Sequence, residues 1–466
     1  MTEKERALWE TISRFSFDET IEEYGFETRL AYENKWTHYV TKQAIEEYKK
    51  FMFLASVSNQ MVSPSEIVDT VWHQHLIFSK SYEKLCGILG KKIEHIPSTH
   101  NPHNHSVFKS AKEHTTTLYE SYFGKQNPHF WNNDYLEETQ LISDNTALRK
   151  RVFLIGCISV FLYLPLFFLL KPFIVTIESE VFILFTIILE LTLFFVLKFQ
   201  IESKIENQAG MLYSEDIHTQ NLTVPEVLCL KNGNNDEYIH AVVNTMIKEE
   251  KIHFSSDYTI SLNEDEKPES ESEMAVVNVF LEKEVRNYPA LFNHLKHKSI
   301  FTIPDLAMQL YKKRWLNNPV FIKSVSGLVL VMLPMLYLLL IRLQLGLERN
   351  KSVIFLLIGI AMYLRIAWYF VKKIYNDLLQ DNLPELYVQK IKSNERTDLK
   401  EGSEWQYLVL GSIMYTMHFN QMVNHVNHNA SQSGSSSGCG TSCGSSCGSS
   451  CGSSCGGGCG GCGGGD

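Results

Sequence analysis

Cysteine is almost missing from the first 438 residues, where Cys86, Cys157 and Cys229 stand far apart and Cys157 falls inside an apolar run. That spacing excludes a small disulfide-stapled fold, which spreads its cysteines among the folded segments. A basic excess is missing as well. Lys+Arg number 43 against 52 Asp+Glu, a net charge of −9, which argues against a dedicated nucleic-acid binder. The opening, MTEKERALWE, is charged and has no apolar stretch behind it, so no secretory leader is expected. There is no H-E-x-x-H helix. No serine or cysteine stands out as a nucleophile, since Cys86 sits late on an apolar-faced helix.

Long apolar runs, by contrast, are present. VFLIGCISVFLYLPLFFLL covers 152–170 and VFILFTIILELTLFFVL covers 181–197. VSGLVLVMLPMLYLLLI covers roughly 325–341, and VIFLLIGIAMYLRIAWYF roughly 353–370. A hydrocarbon core about 30 Å thick needs about 20 apolar residues of helix, so each run is a candidate span. Their spacing predicts two transmembrane hairpins. Arg149, Lys150 and Arg151 precede the first span, and Lys198 and Lys204 follow the second. Lys312, Lys313 and Arg314 precede the third, and Lys372 and Lys373 follow the fourth. Cytoplasmic flanks are enriched in such residues, so both open ends are expected in the cytoplasm, although Arg342, Arg349 and Lys351 lie in the third-to-fourth turn. Glu190 and Arg365 fall within spans; pairing across the bundle, a transport pathway and interfacial snorkelling are the readings open to them.

Residues 1–150 read as a helical domain and hold nine of the 17 histidines. Ser63-Pro64-Ser65-Glu66 predicts a helix start, with proline in the first turn and Glu66 closing a capping box. The helix it opens is expected to carry VDTVWHQHLIFSKSYEKLC, residues 68–86. On that helix Asp69 and His73 share a face, while His73 and His75, two apart, diverge. Asp69 would then orient or join His73, and downstream His95, His100, His103 and His105 offer further ligands for zinc. Structural packing of these histidines and metal-free catalysis are the competing readings.

The run Asp69, Trp72-His73-Gln74-His75, Tyr82, Cys86 and His95-Ile96-Pro97 resembles the glycine-rich domain-containing protein family, which has a D-x-x-W-H-x-H core. Tyr119, Tyr122, Phe123, Gly124 and Trp131 match the later aromatic cluster, and the likeness covers roughly 30–135. Ile96 departs from the pattern, standing where a second adjacent histidine is expected. The resemblance implies a domain boundary rather than an activity.

Residues 199–320 read as a small helical cytoplasmic domain, with a winged-helix-like order of helix, Asn-Gly turn and helix. Thr223, Pro225, Glu226, Leu230 and Gly233 resemble a module of an uncharacterised bacterial membrane-protein family with a Gly- or Cys-rich C-terminus. A juxtamembrane segment, 371–430, leads to the tail at 431–466. There Cys439, Cys443, Cys447, Cys451, Cys455, Cys459 and Cys462 stand among Gly and Ser, which offer too little side chain for a core, so disorder is expected. Seven thiols could bind a thiophilic metal, with His418, His425 and His428 nearby. Lipidation, redox cross-linking, a role as a modification substrate, or a neutral repeat are the alternatives.

The whole reads as a mainly α integral membrane protein. The leading expectation is a membrane-anchored scaffold or interaction protein, handling metal or thiols through its tail, with a protein partner or self-association. A zinc-dependent enzyme using Asp69, His73, His75 and His95 is the second reading, and a transporter the third.

Overall fold

In the computed structural model the described residues are 1–18, 22–96, 105–132, 146–255, 259–263, 265–316, 319–400 and 402–433. The seven tail cysteines, His100 and His103 lie outside them, as does the side chain of His105. The described chain is mainly helical. Its strands are β1 (Ile252–Phe254) and β2 (Ile260–Leu262), an antiparallel pair with Ile252 opposite Leu262.

Among the described residues seven helices form the N-terminal part: α1 (Glu3–Ser13), α2 (Phe26–Asn34), α3 (His38–Val57), α4 (Glu66–Ile77), α5 (Ser79–Leu89), α6 (His105–Phe123) and the single turn α7 (Pro128–Trp131). Thr2 and Glu5 close a capping box on α1, and Thr37 caps α3 by accepting the Val40 N–H. Along α3, Val40, Ala44, Tyr48, Phe51, Met52 and Ala55 recur at helical spacing and are buried. Ile67, Val68, Val71 and Trp72 of α4 share their core with Tyr82 and Leu85 of α5.

The predicted start of α4 is two residues early. Ser65, not Ser63, is the cap, and its side chain accepts the Val68 N–H. Pro64 therefore precedes the helix, and Glu66 is its first residue, too early to close a capping box. The Ser63 N–H is already engaged by Thr115 Oγ1 of α6 at 2.8 Å. The expected single helix over 68–86 is also broken, at Phe78 (ψ 61°), between α4 and α5.

Among the described residues four helices are long and apolar enough to cross a membrane: α8 (Thr146–Ile174), α9 (Ser179–Glu215), α16 (Pro319–Glu348) and α17 (Ile354–Asn376). Phe153, Phe161, Phe195, Phe355 and Trp368 stand exposed on them, an apolar surface that lipid would cover. Their packing differs from two self-contained hairpins. The third helix lies against both the first and the fourth, and the fourth against the second, while the first and second meet only slightly. Lateral order is therefore first, third, fourth, second, and the third is the most enclosed. Nor does a Glu190–Arg365 pair hold the bundle. Arg365 is exposed on the outer surface and Glu190 half-buried, with no bond between them. Cross-links in the bundle include Tyr163 OH donating to Gln344 (2.7 Å), Tyr337 OH to the Ser159 carbonyl (2.9 Å) and Tyr363 OH to the Met332 carbonyl (2.5 Å).

The helices between and after the spans are α10 (Ile217–Gln220), α11 (Val224–Asn232), α12 (Asp236–Lys248), α13 (Glu271–Glu282), α14 (Tyr288–Leu295), α15 (Ser299–Leu316), α18 (Leu383–Lys392), α19 (Glu404–Leu410) and α20 (Met417–Ser433). The fourth span runs through a π-helical turn, Asp377–Asn382, straight into α18. Leu378, Leu383, Tyr387 and Ile391 then pack with Leu222, Leu228 and Leu230, so the membrane core continues into the α11 region without interruption. A separate core joins Val242, Met246, Val276 and Leu291 to Tyr407, Phe419 and Val423. Residues 371–430, expected as a juxtamembrane segment, thus supply both cores.

The N-terminal core docks on these helices through buried polar contacts. Glu226 closes the capping box with Thr223, and its other oxygen accepts the His38 N–H at the start of α3 (2.8 Å). Burial pushes this carboxyl up. Glu23, 2 % exposed, pairs with Lys298 (3.1 Å) and accepts from Asn278 (2.9 Å).

Candidate metal centre

Asp69 and His73 lie four apart on α4, one turn above another, so their side chains reach the same side of the helix. The third group comes from beyond α5. Gly90 ends that helix in the left-handed conformation (φ +72°), which glycine adopts without a Cβ penalty, and the chain turns back across α4. The Tyr82 hydroxyl accepts from Trp72 Nε1 (3.2 Å) and donates to the Ile93 carbonyl, tying the returning strand of chain to α4. Two residues further, the His95 ring sits edge-on to Trp72 with centroids 4.6 Å apart.

The result is a compact group. His95 Nε2 is 2.9 Å from Asp69 Oδ1 and 2.9 Å from His73 Nε2, and His73 Nε2 is 3.7 Å from Asp69 Oδ2. A tetrahedral ion with bonds of 2.0–2.1 Å separates its ligands by about 3.3 Å, and the three distances straddle that value. Asp69, His73 and His95 thus form a cluster that could chelate a metal ion. Among the described residues the group has three members, so these residues leave a further tetrahedral position open. The His73 side chain is 58 % exposed and that of His95 17 %, so the cluster opens to solvent on the His73 side. On the other side a cleft of about 450 Å³ adjoins Asp69 and His95, walled by Phe51, Met61, Trp72 and Phe108, with Lys91 and Lys92 also lining it.

His75 does not belong to this group. It is fully buried, with Nδ1 bonded to the Tyr48 hydroxyl (2.9 Å) and Nε2 to Ser81 Oγ (3.1 Å). Phe17, Phe26 and Tyr82 surround its ring. Two residues along a helix turn a side chain by about 200°, which sends His75 into the core while His73 faces out. Burial pushes His75 down to about 3. An unfolded chain takes up this proton near 6.5, so the contribution is complete above that pH and is lost as pH falls toward 3. Lowering the pH from 7 to 5 is expected to cost the N-terminal core about 2 kcal/mol through this residue alone. Thermal unfolding at both values, with His75→Gln reducing the difference by about that amount, measures it.

Sequence reasoning missed Glu47. Its carboxylate, 3 % exposed in mid-α3, accepts from Tyr119 OH (2.9 Å), Trp131 Nε1 (2.7 Å) and Lys50 (2.8 Å). A glutamate inside an apolar stripe was the available signal.

No family model, curated protein or solved structure matches the chain. The reading of the centre therefore rests on its own geometry.

Proposed function

We propose that the chain is a membrane-anchored scaffold or interaction protein whose N-terminal helical unit carries one zinc ion on Asp69, His73 and His95. The convergence of these three ligand atoms from two separate segments is the observation that carries the reading. Nitrogen and carboxylate ligands suit zinc among the common divalent ions. In this reading the basic flanks of the spans hold the N-terminal unit, the α11–α15 helices and the Cys-rich tail in the cytoplasm. The buried contacts of Glu23 and Glu226 support one docked cytoplasmic body on which a protein partner assembles. The N-terminal unit would belong with the glycine-rich domain-containing proteins that its Trp-His-x-His run resembles.

The test is elemental mass spectrometry of purified, reduced protein, comparing the full chain with one ending at Ala430. About one zinc per chain in both is the expected result. Zinc present only in the full chain would move the site to the tail cysteines, and zinc in neither after reconstitution would sink the proposal. The cleft beside Asp69 and His95 favours a second reading, a zinc-dependent enzyme, in which metal-bound water would act on a substrate held there. Metal-dependent turnover abolished by His95→Ala would establish it.

A further inference from the structure

The far end of the membrane bundle holds a second cleft, of about 410 Å³, between the α8–α9 and α16–α17 connections. It lies opposite the end at which the fourth span continues into α18. Four helix ends surround it, and the chemistry there is unlike the rest of the bundle. Arg342 donates to the carbonyls of Ile174 (2.7 Å) and Ile177 (2.8 Å), satisfying the C-terminal end of α8, and lies over the Phe182 ring. This explains why basic residues stand at an end where cytoplasmic bias does not call for them. Lys171 is likewise committed, to Glu348 (3.0 Å).

Two cations are left over. Arg349 is exposed and makes one long bond, 3.4 Å, to the Val175 carbonyl. Lys351 is exposed and forms no ion pair with a described residue. Both line the cleft together with two exposed carboxylates, Glu178 and Glu180, while Phe182, Phe355 and Leu356 form apolar wall. The helices beginning here, α9 and α17, have no side chain capping their first N–H groups. Arginine and lysine side chains at headgroup level can hold a lipid phosphate through charge-assisted hydrogen bonds. Here carboxylates share the cleft, so a purely anionic headgroup would meet repulsion beside attraction.

We propose that this cleft binds a zwitterionic phospholipid headgroup, with phosphate on Arg349 and Lys351, a primary amine on Glu178 and Glu180, and the first acyl carbons against Phe182 and Phe355. The ordinary partner is phosphatidylethanolamine.

The test uses the full chain, delipidated in detergent, with native mass spectrometry of phosphatidylethanolamine and phosphatidylglycerol of matched chains. The expected result is binding of the ethanolamine lipid about tenfold tighter than the glycerol lipid. Arg349→Ala with Lys351→Ala should lose about tenfold for both lipids, since each uses its phosphate. Glu178→Gln with Glu180→Gln should erase the preference while retaining binding. Glycerophosphoethanolamine, the same headgroup without chains, should displace the lipid only in large excess. Equal binding of the two lipids by the native chain would overturn the proposal, as would an unchanged affinity in the Arg349/Lys351 pair. A preference that survives the Glu178/Glu180 substitutions would do so too. Displacement by the chain-free ester at equal concentration would make the ligand a soluble phosphate ester and overturn the lipid assignment.

Discussion

Asp69→Ala, His73→Ala and His95→Ala are each expected to weaken zinc binding by more than about 100-fold, the upper end of what loss of an outer-shell partner alone costs. Three ligands are few, and each bond is a large share of the affinity. Removing His95 also removes the one atom within 2.9 Å of both other ligands, so two groups on α4 remain, 3.7 Å apart. His75→Gln is the decisive comparison, because its parent residue is a neighbour in sequence but buried on another side of the helix, bonded to Tyr48 and Ser81. It should bind zinc as the native chain does while lowering stability. Competition with a chromogenic chelator measures all four. Native affinity in the Asp69 or His95 variant would remove those residues from the site.

Glu47→Ala is expected to destabilise the N-terminal core by about 3–5 kcal/mol, the cost of breaking a buried charged pair by deleting one partner. One carboxylate satisfies the Tyr119 hydroxyl, the Trp131 indole and the Lys50 ammonium, three donors from three helices. Alanine would leave the first two buried without an acceptor, and each such group carries a desolvation penalty. The loss should appear as a lowered thermal midpoint followed by tryptophan fluorescence. A change below about 1 kcal/mol, the range of an exposed ion pair, would show that water replaces the carboxylate and that the site is less enclosed than its burial indicates.

The spans were legible because lipid acts on composition alone: backbone groups must be bonded within the helix, and the side chains that face lipid are predominantly apolar. How the four helices neighbour one another was not, since lipid-facing and helix-facing positions are equally apolar and the pattern carries no lateral address. The first, third, fourth, second order is a tertiary result. So is the use of Arg342, which reads as a loop cation opposing the charge bias and proves to be a donor to the last carbonyl of another helix and to one in the turn that follows it.

In the centre the same division holds. Helical spacing alone paired Asp69 with His73 and separated His73 from His75, because 3.6 residues per turn decides both. It did not decide which of the downstream histidines returns, or that the helix breaks at Phe78 and the chain turns at Gly90 and is tied by Tyr82 through the Ile93 carbonyl before His95 arrives. Glu47 could not be matched to Tyr119 and Trp131, 72 and 84 residues away, for the same reason. Local periodicity and the demands of lipid on composition were sufficient to determine helices, spans and one half of the candidate metal centre. Closing that centre, and satisfying the charges buried behind it, required the long-range return of chain that only the packed core selects.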